Sequence, residues 1–364
     1  MKIRGEKTEL MKIMGSVQNI AGTKTVLPIL SNVLIEATKD KLKLTATDLE
    51  VGVINSAKFE VLEEGTTTVP AKKIFEIIRE LPDGQVVLAA KKNNTVTIEC
   101  KKSFFKIPGL PKEEFPKLPE FHNKEMFSLS QKDLREMLAK TIFAISRDDT
   151  RHVLNGALFL IQPNKITVVA TDGRRLALAE KQARDTGPVR KKAIVPAKAI
   201  QELMRALKDG GDAAITLGEN HILFKVDDLT IISRLIEGEF PNYEQVIPPP
   251  QKDKLSIDRE DLLQATKRVS LLTTAESQAV KFDLLKDKVV ISKNSPELGE
   301  AMEELSAEYK GQELSVGFNP HYIIDALKNL QTDRVNIEFT DPDKRGIIRD
   351  SGDYLYLVLP MQLG

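Results

Sequence analysis

A strand running into a proline-started helix occurs three times in this chain, and that recurrence constrains the fold more than any other feature. It reads Val69-Pro-Ala-Lys-Lys-Ile-Phe-Glu-Ile-Ile-Arg-Glu-Leu, then Val195-Pro-Ala-Lys-Ala-Ile-Gln-Glu-Leu-Met-Arg-Ala-Leu, then Val316-Gly-Phe-Asn-Pro-His-Tyr-Ile-Ile-Asp-Ala-Leu. Successive copies lie about a third of the chain apart, so the repeating unit is domain-sized. In each copy a proline sits near the first helical turn, where its missing N–H costs nothing. Apolar residues then follow at helical period: Ile74, Ile77, Ile78 and Leu81; Ile200, Leu203, Met204 and Leu207; Ile323, Leu327 and Leu330. After each helix a turn leads into an alternating strand, Gln85-Val-Val-Leu, Ala213-Ala-Ile-Thr-Leu and Arg334-Val-Asn-Ile-Glu-Phe.

A second helix opens each copy. The first carries Leu10, Ile13, Met14 and Val17. The second starts at Ser130, has Asp133 three residues on, and continues its apolar stripe through Leu134, Leu138, Ile142 and Ile145. The third starts at Asp258 with Asp261 and carries Leu262, Thr266 and Val269. Strand pairs lie between the two helices: Leu42-Lys-Leu-Thr-Ala-Thr-Asp, Ile166-Thr-Val-Val-Ala-Thr-Asp and the weaker Val289-Val-Ile-Ser-Lys-Asn. The first two copies close on Pro108-Gly-Leu-Pro-Lys-Glu-Glu-Phe-Pro and Leu235-Ile-Glu-Gly-Glu-Phe-Pro, and polar, proline-rich linkers follow near 116–126 and 248–254. The expected fold is therefore α+β, three copies of a two-helix-plus-antiparallel-sheet domain spanning 1–125, 126–252 and 253–364. Such repeats suit a curved array. Three separate globular beads are the alternative.

The search for chemistry finds little. Nothing matches a phosphate-cradling glycine loop or a nucleophile elbow. His122, His152, His221 and His321 are isolated, and with a single cysteine no structural zinc site can form. No catalytic residue, metal or cofactor is expected. Ala170-Thr-Asp-Gly-Arg-Arg-Leu-Ala177 is the most tempting motif, with Asp172, Arg175 and His152 as an acid/base set. The first copy, however, has Ala46-Thr-Asp-Leu-Glu50 at the same place without Arg or His, and an aspartate that caps a turn explains both. Cys100 has no disulfide partner, the N-terminus has no apolar signal region, and no stretch reaches the length of a membrane helix. A reducing cytoplasm is the expected location.

Lys+Arg and Asp+Glu balance at 53 each, so only their placement can suggest a partner. Most of the repeat helices carry cations beside their apolar stripe: Lys7 and Lys12; Lys72, Lys73 and Arg79; Lys132, Arg135 and Lys140; Lys198, Arg205 and Lys208; Arg259, Lys267 and Arg268; Lys328. On one helix this is a solvated face; repeated, it suggests faces that meet polyphosphate together. There is no Trp, no aromatic stacking platform for single strands and no base-reading helix signature. What remains is weak, sequence-independent attraction to a duplex backbone, which a closed ring would convert into long residence by topology.

The landmarks resemble the bacterial sliding clamp family, the beta subunit of DNA polymerase III. The matching runs are Leu27-Pro-Ile-Leu-Ser-Asn-Val-Leu-Ile, Ala46-Thr-Asp-Leu-Glu, Thr66-Thr-Thr-Val-Pro-Ala-Lys, Leu154-Asn-Gly-Ala-Leu-Phe, Ala170-Thr-Asp-Gly-Arg-Arg-Leu-Ala, Phe240-Pro-Asn-Tyr and Leu357-Val-Leu-Pro-Met-Gln-Leu363. The resemblance implies a head-to-tail homodimeric ring, helices inside and sheets outside, that encircles double-stranded DNA and tethers the polymerase. It implies a dimer interface in which Phe105 and Ile107 of one copy meet Leu271 and Leu272 of the other, with Lys101 and Lys102 facing Glu297, Glu300, Glu303 and Glu304 (Phe105 and Ile107 could instead be core). It implies a partner-peptide cleft at Leu154, Thr171, Gly173, Arg174, Arg175, Leu176, Pro241, Val246, Leu357, Leu359 and Met361. The implied partners are the polymerase III alpha subunit, the clamp-loader complex, repair polymerases and mismatch-repair proteins. Candidate DNA contacts are Lys24, Lys72, Lys73, Arg151, His152 and Lys198. The chain departs from the family at its tail, Leu359-Pro-Met-Gln-Leu363-Gly364, and at Arg174, where histidine is common.

Overall fold

The computed structural model describes residues 1–22, 27–121, 125–188, 190–252, 254–340, 345–350 and 352–363. Six α-helices are described: α1 (Lys7–Val17), α2 (Ala71–Glu80), α3 (Gln131–Ala139), α4 (Ala197–Ala206), α5 (Arg259–Ser270) and α6 (Pro320–Lys328). Their sequences account for them. In α2 the apolar Ala71, Ile74 and Ile78 are buried at helical spacing while Lys72, Lys73, Glu76, Arg79 and Glu80 stay exposed. The side chain of Asp258 caps α5 by accepting from the Asp261 N–H at 2.9 Å, and that of Asn319 caps α6 by accepting from His321 N–H at 3.0 Å. Each such cap contributes about 1 kcal/mol.

The helix opening the second copy is shorter than its apolar stripe predicts. It ends at Ala139, and Ile142 falls in a separate 3₁₀ turn, Ile142–Ala144. The reason is local: the buried Thr141 turns its hydroxyl back onto the Met137 carbonyl at 2.8 Å, at a backbone conformation (φ −126°, ψ −41°) that does not continue the helix.

The chain forms two compact units. The first, residues 1–132, 184–186 and 198–235, holds two antiparallel sheets. One runs in the order Glu60–Glu63, Lys2–Glu6, Gln85–Ala90, Thr95–Cys100, Ser103–Pro108. The other runs Met126–Ser130, Asp212–Leu217, His221–Val226, Leu229–Arg234, Val51–Lys58, Lys41–Thr47, Asn32–Thr38, Gly65–Pro70. The second unit, residues 133–183, 187–197 and 236–364, holds one twelve-stranded sheet in the order Lys191–Pro196, Gly156–Gln162, Lys165–Thr171, Arg175–Gln182, Tyr354–Val358, Gly346–Asp350, Arg334–Phe339, Lys254–Asp258, Gly299–Tyr309, Lys288–Ser295, Val280–Leu285, Leu314–Phe318. Within the units α1 packs on α2 and α5 on α6.

These sheets cross the repeat boundaries read from the sequence. The fourth strand of the first copy, Val51–Lys58, pairs with the last strand of the second, Leu229–Arg234, with Val53 opposite Ile231. Likewise Arg175–Gln182 pairs with Tyr354–Val358, the last strand of the third copy, with Leu176 opposite Leu357. A lone repeat would expose a row of unpaired backbone donors and acceptors at this edge; its successor covers them. The third copy's equivalent strand is Gly299–Tyr309. Only Ala307, Glu308 and Tyr309 of it pair with Lys254–Asp258, so residues 299–306 have one strand neighbour, Lys288–Ser295. Ser103–Pro108, the last strand of the first copy, is also an edge and, among the described residues, pairs only with Thr95–Cys100.

Candidate peptide-binding cleft

The Ala-Thr-Asp landmark builds the same turn in both copies where it occurs. Thr47 Oγ1 donates to the Val51 carbonyl at 3.0 Å and Thr171 Oγ1 to the Arg175 carbonyl at 2.6 Å. Asp48 Oδ1 accepts from the N–H groups of Glu50 and Val51, and Asp172 Oδ1 from those of Arg174 and Arg175. Both aspartates cap a turn, as the sequence implies. The residue after each is left-handed: Leu49 has φ 80° and Gly173 φ 85°.

Asp172 is further committed through Oδ2, which accepts from Arg175 Nε at 3.1 Å. The same guanidinium donates through Nη1 to Asp325 Oδ2 at 2.7 Å and through Nη2 to the Phe143 carbonyl at 2.5 Å, and it stacks 4.4 Å from the Tyr322 ring centroid. Burial opposes its charge, but Tyr356, Asp325 and Asp172 more than offset that and hold its pKa above the ordinary value. An acid/base reading of Asp172 therefore has no free carboxylate oxygen to work with, and His152 is not among its partners. Among the described residues no group of three His, Cys, Asp or Glu side chains could hold a metal ion.

Around this turn lies a cleft of about 250 Å³. Its lining comprises Leu154, Thr171, Gly173, Arg174, Arg175, Leu176, Pro241, Asn242, Tyr243, Val246, Arg345, Leu357 and Leu359. Ten of the eleven residues expected at the cleft thus converge from four stretches of chain. The floor is apolar: Leu176 and Leu357 are buried opposite each other and join Leu158, Leu160, Val169, Ile194, Ile347 and Leu355 in one core cluster. The rim is polar, with Arg174, Asn242 and Arg345. The volume sits just under the ~300–1,000 Å³ of small-molecule pockets, and suits one or two apolar side chains of a peptide better than a whole organic ligand.

Met361 is the exception. Its backbone N–H donates to the Gly317 carbonyl at 2.8 Å, so it bridges the strand Leu314–Phe318 and does not line the cleft. Gly317 makes that approach possible, since a Cβ there would lie 2.6 Å from the Met361 carbonyl oxygen. The equivalent exit segment of the second copy does the same, Ile236 N–H donating to the Ile194 carbonyl at 2.9 Å. Asn242 and Tyr243 also line the cleft; they belong to the Phe240-Pro-Asn-Tyr run but are not among the residues expected there. Arg345 had no signal, coming from an aperiodic polar stretch.

Of the expected interface residues, Phe105 is 40% exposed and its neighbour Phe104, not singled out from sequence, 60%; Ile107 is buried in the sheet core. Leu271 is 77% exposed and Leu272 half-buried. Glu300 accepts from Asn294 Nδ2, Glu304 pairs with Lys288 at 2.8 Å, and Glu303 forms a two-pronged pair with Arg268. Of the expected DNA contacts, Lys72 and His152 are exposed, while Lys73 pairs with Glu76, Arg151 with Asp148 and Lys198 with Asp48. Such surface pairs are weak and can yield to phosphate. Lys24 lies outside the described residues. A wider cavity of about 410 Å³ in the first unit mixes apolar lining residues, Ile13, Phe59, Val226 and Leu229, with charged groups including Lys12, Arg205, Lys208 and Asp227, the last two of which are paired. Among the described residues no helix is long and apolar enough to cross a membrane.

Comparison with known proteins accords with this architecture. Family models described as the N-terminal, central and C-terminal domains of the DNA polymerase III beta subunit match residues 1–119, 128–242 and 244–362. The beta sliding clamp of Chlamydia pneumoniae is 33% identical over 363 residues, covering 100% of this chain and 99% of the relative. That of Escherichia coli is 34% identical over 368 residues, covering 100% of both. Among solved structures, a sliding clamp of Pseudomonas aeruginosa bound to griselimycin superposes with a TM-score of 0.95 at 33% identity over 100% of both chains. A DNA polymerase III beta subunit described from Eubacterium rectale gives 0.93 at 31%, also over 100% of both. With family models matching three successive segments and full-length relatives at 33% and 34% identity, this protein belongs to the bacterial DNA polymerase III beta subunit family, the beta sliding clamps.

Proposed function

We propose that this chain is a replication processivity clamp that closes as a head-to-tail homodimer around duplex DNA and holds partner peptides in the cleft. The observation that carries the ring is the pairing rule between repeats. The first copy's fourth strand is covered by the second copy's last strand, and the second copy's fourth by the third's last. Continuing the series leaves one donor edge, residues 299–306, and one acceptor edge, Ser103–Pro108. A second molecule supplies both missing partners at once. Such an interface is heterologous, and a ring results when its rotation closes. Phe104, Phe105, Leu271 and Met302 are the exposed apolar residues that this contact would bury. Glu297 and Glu300, which pair with no cation among the described residues, are left to attract Lys101 and Lys102 of the neighbour. Three domains, 1–125, 126–252 and 253–364, then act as six around the ring.

The duplex is held without sequence readout through Lys24, Lys72, Lys73, Arg151, His152 and Lys198. Tethering raises the local concentration of whatever the cleft holds, which is how a protein without chemistry of its own confers processivity. The occupants are peptide segments of the polymerase III alpha subunit, the clamp-loader complex, repair polymerases and mismatch-repair proteins. Dilution sedimentation tests the assembly: Leu272→Ala weakens the dimer at least roughly tenfold, as expected for loss of a buried anchor. An unchanged dissociation constant removes this interface.

A further inference from the structure

Lys293, in the strand Lys288–Ser295, is 8% exposed. Burying an ammonium is costly unless a carboxylate offsets it. Among the described residues no ion pair reaches Lys293, and burial alone pushes its pKa down. Its Nζ instead donates to Ser277 Oγ at 2.6 Å, to the Ser277 carbonyl at 2.9 Å and to the Ala279 carbonyl at 2.9 Å. Three donors meet three neutral oxygens. All three acceptors belong to the irregular segment 271–279, between α5 and the strand Val280–Leu285. The other bonds of this segment are mostly local, such as Ser277 N–H to Thr274 Oγ1 and Gln278 Nε2 to the Ala275 carbonyl, apart from Asn319 Nδ2 donating to Gln278 Oε1.

The segment begins with the exposed Leu271 and with Leu272. On its other side the strand of Lys293 pairs with Gly299–Tyr309, placing Lys293 opposite Ala301 and Asn294 opposite Glu300. One strand therefore links the loop that bears the leucines to the open edge that bears Met302 and Glu300. A charge buried without a counter-charge is a poor stabiliser, since an apolar side chain of similar length would avoid its desolvation. What it supplies is position.

We infer that Lys293 is a positioning residue for self-association, its ammonium fixing segment 271–279 so that Leu271 and Leu272 stand at a set place beside the edge 299–306. The inference rests on the head-to-tail contact proposed above. The test compares full-length Lys293→Met, Ser277→Ala and Leu272→Ala by dilution sedimentation and hydrogen exchange. Lys293→Met should raise the dimer dissociation constant roughly tenfold. Amides of 273–279 should lose protection while the unfolding midpoint moves by no more than ~2 °C. Ser277→Ala should move the constant in the same direction by less. If Leu272→Ala weakens the dimer and Lys293→Met does not, the inference is wrong and the interface reading survives. If Leu272→Ala leaves the dimer intact, both go. A Lys293→Met protein with protection lost throughout the fold would make Lys293 an ordinary core residue, and that also overturns the inference.

Discussion

Arg175 shows how far a local motif can mislead about role. Beside Asp172 it reads as half of an acid/base pair, yet its guanidinium joins the turn of the second copy to Asp325 on α6 of the third and to the Phe143 carbonyl. Arg175→Ala removes the cation that Asp172 and the partly exposed Asp325 share and should cost about 2 kcal/mol in urea unfolding, between the surface and buried ranges; a loss under ~1 kcal/mol would contradict this keystone role. The left-handed position after each capping aspartate makes a second, opposite prediction. Leu49 occupies it with a side chain 56% exposed, where the second copy has Gly173. Leu49→Gly should therefore raise stability by about 1 kcal/mol, the strain of a left-handed residue with a Cβ, and calorimetry showing destabilisation would refute it. The aspartate caps could be read from the sequence because two copies share Ala-Thr-Asp. Asp325 could not be foreseen as a partner of Arg175: it lies 150 residues away on an unremarkable helical position.

Among elements, helices with their own start signals were the most readable. Asp258 and Asn319 cap the helices that follow them, and the proline-started helices begin where proline sits. The end of α3 was hidden because apolar spacing continues past it while one threonine hydroxyl diverts the backbone. The connector after the cleft wall was equally opaque. Glu338, with a side chain 1% exposed, accepts from the Gln251 N–H at 3.0 Å and pairs with Lys254 at 2.9 Å and Arg349 at 3.3 Å, while Arg349 also donates to the Pro248 carbonyl. Burial alone would raise its pKa, but these three partners win and hold it below the ordinary 4.5. A depressed folded pKa means stability that is present above 4.5 and lost as pH falls through the folded value. Glu338→Gln should thus be less stable than the parent near neutrality, with the two urea curves converging as the pH is lowered; a gap independent of pH would contradict the buckle. On the cleft rim, Val246 is 42% exposed. Val246→Glu should weaken binding of a short leucine- and phenylalanine-bearing peptide roughly tenfold with an unchanged melting temperature, and calorimetric titration giving equal affinities would remove this wall from the site.

At the scale of the whole molecule, three repeats were visible because their landmarks recur in order, but their exchange of strands was not. Val51–Lys58 and Leu229–Arg234 are ordinary apolar-rich strands, Val-Gly-Val-Ile-Asn-Ser-Ala-Lys and Leu-Thr-Ile-Ile-Ser-Arg, and nothing in either run says which strand lies beside it. The exchange is what turns three domains into a series with two loose ends, and the loose ends are what call for a second molecule. The central claim is therefore topological: the protein stays on DNA because it surrounds it. It should be loaded by a clamp loader and ATP onto primed circular DNA, washed at high salt, and assayed before and after a single restriction cut. Retention on the circle at high salt with release on linearisation is the predicted result; retention indifferent to the cut and falling steeply with salt would mean electrostatic binding and would contradict the closed ring.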